Sequence, residues 1–422
     1  MESKKVDVLV LGAGIVGMSI AHELQRAGRQ VTVVDRAPEA GLGCSYGNAG
    51  WITPCFSMPL PQPGMFWKSI GWLLDPESPL YIKPQPSWLL VRWMLGFLRA
   101  MNQRQLNESV SVRTEISKYS LDFYRALAAR GPDTCCFAQK GLLLVSGNET
   151  GLKAAEIEMR LMAERGVPGR LMTGEEIVAM EPSLKPKLKG GVYFPSEAHA
   201  EPLATVKALT REIEQAGGIL ATRSEIYDFE FDDSTSNSKV KTVFTTRGNY
   251  SPDLVVFALG AWSVPLARRM RVSVPLLGGK GYRLICDNME VKPQHPIMIV
   301  ERKIAVTPRG ETTSLAGTLE LVDRDEGITV RRVNAILRGS QEYLNVGDKP
   351  QISEIWRGLR PCTPDGVPMI GFSKKHSNLF YSVGHQMLGL QSAPGSAKLA
   401  ADLIAGRASS TDPKPFRPER YE

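Results

Sequence analysis

Gly12, Gly14 and Gly17, followed by Asp35, have the types and spacing to hold a phosphorylated ligand. They stand in Gly12-Ala13-Gly14-Ile15-Val16-Gly17, directly after the apolar run Val6–Leu11 and before a helical stretch from Met18 to Ala27. Gly12 permits a tight turn, Gly14 lets backbone approach a pyrophosphate, and Gly17 lets helix and strand pack closely. The helix start offers free N–H groups and a partial positive charge to the phosphates. A second apolar run, Gln30 to Val34, ends in Asp35 and Arg36. A carboxylate about twenty residues beyond the turn can accept hydrogen bonds from ribose hydroxyls. The elements that position these groups are strand, turn, helix and strand, a βαβ unit over 6–35. A glycine turn in an α/β domain without a ligand carries the same glycines, but here the strand, helix and terminal acid all accompany them.

Bulk properties narrow the classes. A chain of 422 residues favours two domains, and 43% hydrophobic residues suffice for their cores. The net charge of +7 favours anionic ligands or anionic membrane surfaces. With no dense Lys/Arg block, nucleic acid is not an expected partner. The six cysteines form no Cys-x-x-Cys pair and no zinc spacing, so no metal is expected, and Cys135-Cys136 reads as two reduced thiols. No secretory signal and no run of about 18 uncharged apolar residues is visible. The expected location is cytoplasmic, with peripheral contact at the inner face of the cytoplasmic membrane as an option.

The order of elements suggests interleaving. After glycine-rich 36–53 and Pro/Trp-rich 54–87, residues 88–130 read as helices. A strand follows at 142–145, helices at 152–165 and 202–216, a hairpin at 223–247, and an apolar strand at Leu254–Ala258 ending in Gly260. Residues 280–320 are β-rich, 328–344 helical, 379–383 a strand and 391–405 a last helix, before an extended tail. Elements typical of the dinucleotide unit thus recur near 200–262 and 379–405. Within 64–104, Phe66, Trp67, Trp72, Trp88 and Trp93 with Arg92 and Arg99 fit either a membrane-surface segment or a packed helical flap over the site. The flap is the expected form, because apolar positions nearly surround the helix.

Several runs occur in one order: Cys44-Ser45-Tyr46-Gly47-Asn48-Ala49-Gly50, Val255-Val256-Phe257-Ala258-Leu259-Gly260-Ala261-Trp262-Ser263, Gly281-Tyr282-Arg283, Gly317-Thr318-Leu319-Glu320, Trp356-Arg357-Gly358-Leu359-Arg360-Pro361, Thr363-Pro364-Asp365-Gly366, and Gly384-His385 with Leu388-Gly389. Together they resemble the D-amino-acid oxidase/dehydrogenase superfamily of FAD enzymes, in particular the bacterial D-amino-acid dehydrogenase small-subunit branch that includes D-hydroxyproline dehydrogenase-like enzymes. The resemblance runs from about Val6 to Arg407. It implies an α/β fold: a Rossmann-like FAD-binding domain, interleaved with an α+β substrate domain built on an antiparallel sheet. The expected division is 1–55, 197–270 and 355–410 for FAD, 56–196 and 271–354 for substrate, and 411–422 as a tail.

The resemblance also implies hydride transfer from a substrate Cα to the flavin N5, so the hard chemistry belongs to the cofactor. The planar guanidinium of Arg360 matches a substrate carboxylate through two parallel hydrogen bonds. Tyr282 could donate to the carboxylate or pack in the strand. Arg283, its neighbour, should face the other way. His385 could join loop N–H groups that stabilise charge at the flavin, contact substrate, or simply hold the turn. Glu320 could meet a substrate amine or remain a strand carboxylate. Ser45, Asn48, Ala49 and Gly50 are expected along the flavin, with Gly260, Met387, Leu388, Gly389 and Leu390 beside it and Ile226 either against the adenine or in the core. Gln386 and Leu390 depart from the glycine and tryptophan common in D-alanine-type members, which points away from D-alanine and toward a cyclic imino acid such as cis-4-hydroxy-D-proline. The expected partners are an amino-acid substrate and an electron acceptor, a quinone or carrier protein. The oligomeric state is open. A glycine/sarcosine-type oxidase using oxygen, a non-catalytic FAD-binding subunit and an NAD-dependent dehydrogenase are the alternatives.

Overall fold

The computed structural model describes residues 3–64, 80–83, 87–131, 134–234, 238–323, 325–347 and 349–421. Phe66, Trp67 and Trp72 lie outside them.

The first strand, Ser3–Leu11, buries alternate residues on opposite faces, as a central strand must. Val8 and Val10 enter one core and Leu9 and Leu11 another. Parallel neighbours flank it: Val31–Val34 and then Ile219–Ala221 on one side, the end of Gly248–Phe257 and then Leu379–Val383 on the other. An antiparallel hairpin, Ile226–Asp232 with Lys239–Thr245, extends the sheet. In register, Leu11 stands opposite both Val34 and Phe257, and Phe257 opposite Tyr381. The carboxyl ends of four parallel strands therefore align, and the loops after them open at one edge of the sheet, where such sheets bind ligands.

One face of this sheet is covered by the first helix, Ile15–Arg26, by the last, Gly389–Ile404, and by the long helix Gln103–Ala128. Val112, Ile116, Tyr124 and Leu127 of the long helix share a core with Ala393 and Ala397 of the last. The Tyr124 hydroxyl donates to Leu390 O (3.0 Å). By sequence order the long helix falls in 56–196, the stretch expected with substrate. Its apolar stripe nevertheless packs on the dinucleotide core.

A second sheet has the strand order Ile352–Cys362, Leu277–Cys286, Thr312–Val322, Ile304–Arg309, Ile297–Ile299, Leu142–Ser146, Gly190–Phe194 and Arg170–Thr173, with Leu80–Ile82 also on Thr312–Val322. Pairing is antiparallel except at Ile297–Ile299 with Leu142–Ser146 and at Leu80–Ile82. The strand Ile352–Cys362 belongs here by its bonds to Leu277–Cys286, although residues from 355 on were expected with the first sheet. A two-stranded link, Trp51–Ile52 with Ala198–His199, joins the loop after the first helix to residues ahead of Pro202–Gln215.

The helix Trp88–Ala100 packs along one side only. Trp93, Phe97 and Ala100 are buried, and Trp93 Nε1 donates to Cys362 O (2.8 Å). Trp88 is 78% exposed, and Val91, Leu95 and Leu98 are exposed with it. The tail is not extended. It forms short 3-10 turns at Lys414–Phe416 and Pro418–Arg420, buries Phe416, and anchors Arg420 on Asp365 (2.8 Å).

Candidate active site

The aligned strand ends open into a cavity of about 1120 Å³ that runs from Asp35 and Ile226 at one end to Arg360 and Gln386 at the other. At the first end the wall is largely backbone. Gly12, at φ +105°, donates its N–H to Val34 O (2.8 Å), and a Cβ there would lie 2.6 Å from Ala258 O. A Cβ on Gly17 would lie 1.9 Å from Gly12 O, so helix and turn touch through that missing side chain. No side chain caps the first helix at Gly14. The Ile15 N–H reaches Ser45 Oγ (2.9 Å), tying the 44–50 loop to the helix start. Asp35 accepts from Ala13 N–H (2.7 Å) and Ala37 N–H (2.8 Å), fixing its carboxylate in the cavity wall. The Arg36 guanidinium lies over the Trp262 ring at 4.5 Å. Both line this end with Ile226 and Gly260.

At the other end two loops are stitched together. Asn48 Nδ2 donates to Met387 O (3.2 Å), and Asn48 Oδ1 accepts from Gly50 N–H (2.9 Å). Gly50 itself lies behind the wall, where a Cβ would meet Ala200 O at 2.5 Å. Ala49 lines the cavity, as do Met387, Leu388, Gly389 and Leu390 at the start of the last helix. His385 is 5% exposed and bonded to Ser396 Oγ (3.1 Å). Burial brings its pKa down to about 3, so the ring is neutral at physiological pH.

Arg360 lines the second end of the cavity. It projects from the strand Ile352–Cys362 into the cavity and donates from Nη1 to Thr318 O (2.8 Å). A Cβ on Gly281 would lie 2.1 Å from that nitrogen, so the neighbouring strand makes room for the guanidinium by omitting a side chain. Among the described residues no carboxylate pairs with it, and burial lowers its pKa. The glycine of Gly281-Tyr282-Arg283 is therefore the member that serves the cavity.

Its two companions do not line it. The Tyr282 hydroxyl accepts from Thr329 N–H (3.1 Å) inside the second sheet's core. Arg283 faces the opposite side, as strand alternation requires, and holds Tyr46 O (2.7 Å) and Glu354 (2.9 Å), bracing the 44–50 loop from behind. Glu320 is also outside the cavity wall. Its carboxylate is held between Lys280 (2.9 Å) and Arg332 (3.1 Å).

Three features escaped the sequence reading. Trp356 lines the cavity, with its ring where Cβ atoms on Gly47 and Gly358 would fall, 1.9 and 2.0 Å away. Within its own run the signal is Gly358, whose missing side chain leaves room for the ring. Thr318 stands at φ +58° to present its carbonyl to Arg360. Arg113, in the middle of a long helix, carried no local signal at all and still lines the cavity.

The family model described as "DAO: FAD dependent oxidoreductase" matches residues 7–403. The chain belongs to this family. The oxidoreductase is 30% identical over 422 residues to a protein named D-amino acid dehydrogenase from Agrobacterium fabrum, covering 99% of this chain and 100% of that one. Among solved structures it resembles an L-proline dehydrogenase from P. horikoshii (TM-score 0.79, 19% identity, 99% of each chain). It also resembles a glycine oxidase from Geobacillus kaustophilus (TM-score 0.78, 21% identity, 100% of each chain). At these identities the structural likenesses speak for the Rossmann-like fold alone. The wall of this oxidoreductase suits FAD: the Gly12–Gly17 turn at the start of the first helix for the phosphates, Asp35 for a ribose, and the 44–50 and 385–390 loops for the ring.

Proposed function

We propose that this FAD-dependent oxidoreductase oxidises the Cα–N bond of a D-amino acid or a related secondary amine acid, with D-proline and hydroxy-D-proline among the candidates. The observation that carries this is Arg360: a half-buried guanidinium without a carboxylate partner among the described residues, in the same cavity as the ring-side loops. A buried cation is unfavourable until it is paired, and a planar bidentate donor matches a carboxylate. Bound FAD supplies the hydride acceptor. Arg360 fixes the substrate carboxylate, and with it the direction of the Cα–H bond. Neutral His385 adds no charge that would repel an incoming amine. In this reading 1–55, 103–128, 197–270 and 363–410 hold FAD, and the second sheet, with Ile352–Cys362, holds substrate.

The electrons then pass to a quinone or another carrier. In support of a membrane-surface location, the exposed face Trp88, Val91, Leu95 and Leu98 is flanked by Arg92 and Arg99, on a chain of net charge +7. Among the described residues no helix is long and apolar enough to cross a membrane.

The test is an anaerobic titration of the purified holoprotein with D- and L-amino acids, proline and hydroxyproline isomers, glycine and sarcosine, read in the flavin visible band. Bleaching by a D-acid or cyclic amine acid supports the proposal, and air admitted afterwards separates dehydrogenase from oxidase. A yellow protein that none of these bleaches overturns it in favour of a non-catalytic subunit.

A further inference from the structure

The cavity contains a second guanidinium, this one buried, which the reading above does not use. Arg113 is 5% exposed, and its Nη1 donates to Gly366 O at 3.2 Å. Among the described residues it has no carboxylate within ion-pair distance. Burial pulls its pKa down to about 10, and Asp365 only partly opposes this. Asp365 is already engaged: its carboxylate takes Arg420 Nε (2.8 Å) and the Val367 N–H (3.0 Å). Asp365 and Arg420 thus cancel, and the charge on Arg113 is left over.

Beside it stands Gln386, the residue whose type departs from the family run. It is 6% exposed, adopts φ +53°, and ties its backbone N–H to Pro361 O (3.1 Å), next in sequence to Arg360. Its Nε2 is buried without a hydrogen-bond partner. Arg113 Nη1 and Gln386 Nε2 both lie within 3.4 Å of the point a Cβ on Gly366 would occupy. Two donors, one of them charged, therefore converge beside Gly366 behind the cavity wall that Arg113, Gln386 and Pro59 line, and Gln386 ties this corner to the residue after Arg360. Buried donors and buried charges are costly unless an acceptor meets them, and an anion answers both.

We propose that Arg113 and Gln386 form a second anion subsite, and that the substrate is a dicarboxylic amine acid: one carboxylate on Arg360, the other on Arg113 and Gln386. This rests on the role given to Arg360 above. The second carboxylate could be carried by the side chain or by a substituent on nitrogen, and the test separates the two.

Anaerobic reduction of the holoenzyme is compared for matched pairs, D-glutamate with D-glutamine and iminodiacetate with sarcosine, and with cis-4-hydroxy-D-proline as a neutral hydroxylated acid. The expected result is that one dicarboxylic member reduces the flavin with at least about tenfold higher kcat/KM than its neutral partner. Arg113→Met then raises KM for that acid by about 30-fold or more, moves the neutral partner by less than about threefold, and Arg113→Lys falls between. The responding pair shows where the second carboxylate sits. The proposal is overturned if both members of each pair react alike, or if hydroxyproline surpasses every dicarboxylate. It is also overturned if Arg113→Met depresses all substrates equally while shifting the flavin midpoint potential, which would turn Arg113 toward the cofactor. Retained FAD in Arg113→Lys controls for folding. If no amine acid of any kind bleaches the flavin, the role of Arg360 fails first and this subsite falls with it.

Discussion

At the Asp35 end of the cavity, the groups facing the ligand space come chiefly from residues 12–45 and are largely backbone, released by glycines. At the Arg360 end they are side chains and carbonyls from residues far apart in the chain: Arg113, Thr318, Trp356, Arg360 and Gln386. The first end is specified by a local turn and strand register. The second exists only once two sheets and a long helix have assembled around it. If the contrast is real, substitutions at the two ends should fail differently, cofactor binding being lost at one and turnover at the other.

Gly17→Ala should have the largest effect. The new Cβ would fall 1.9 Å from the Gly12 carbonyl oxygen, a backbone atom that cannot rotate away. Overpacking of this kind costs about 1–3 kcal/mol, and the turn that presents the phosphate N–H groups must shift. Purified Gly17→Ala protein should carry at most about one tenth of the wild-type FAD, by absorbance ratio. Full FAD content would mean that the first end is less tightly specified than its geometry implies.

Arg360→Met tests the other end. It should retain FAD at the wild-type ratio while kcat/KM falls by about 10²- to 10³-fold. Loss of FAD together with activity would erase the distinction between the two ends.

The same contrast decided what could be read from the chain. The turn, Asp35, the 44–50 loop and the last helix were legible because strand, glycine spacing and helix follow one another locally. Arg360 stood out in its run, and its guanidinium fills the space over Gly281 of the neighbouring antiparallel strand. Tyr282, Arg283 and Glu320 were chosen by type from the same family runs. Strand alternation turned Tyr282 into a core and Arg283 toward Tyr46, and the cations Lys280 and Arg332 claimed Glu320. Arg113 was out of reach because its helix packs across the sequence-based division, on the last helix rather than on its neighbours in the chain.

The joint between the ends should reveal itself through pH. Glu197, next to the Ala198–His199 strand that pairs with Trp51–Ile52, is fully buried beside Cys55, and burial pushes its pKa up to about 8 from 4.5. The folded chain keeps this proton up to about pH 8, whereas the unfolded chain releases it near 4.5. Folding therefore takes up a proton within that window. The contribution is fully present below the lower value and declines as pH rises to the upper one. Glu197→Gln should flatten the fall in melting temperature between pH 5 and 8.5, and should be the more stable protein at the alkaline end, by up to about 1.4 kcal/mol for each pH unit of that window. Parallel profiles for the two proteins would show that Glu197 is ionised in the fold.

Tyr282→Phe should do least, and its value lies in that. The hydroxyl accepts one hydrogen bond, from Thr329 N–H, in the core of the second sheet, and the ring stays buried without it. Removing it costs about 0.5–1.5 kcal/mol, because the Thr329 N–H is left to find another acceptor. Urea unfolding should shift by that amount, with KM and kcat within about twofold of wild type, since the side chain does not reach the cavity. A large rise in KM at unchanged stability would place the phenol on the substrate. The second sheet would then contribute directly to binding rather than only positioning Arg360 through the empty space over Gly281.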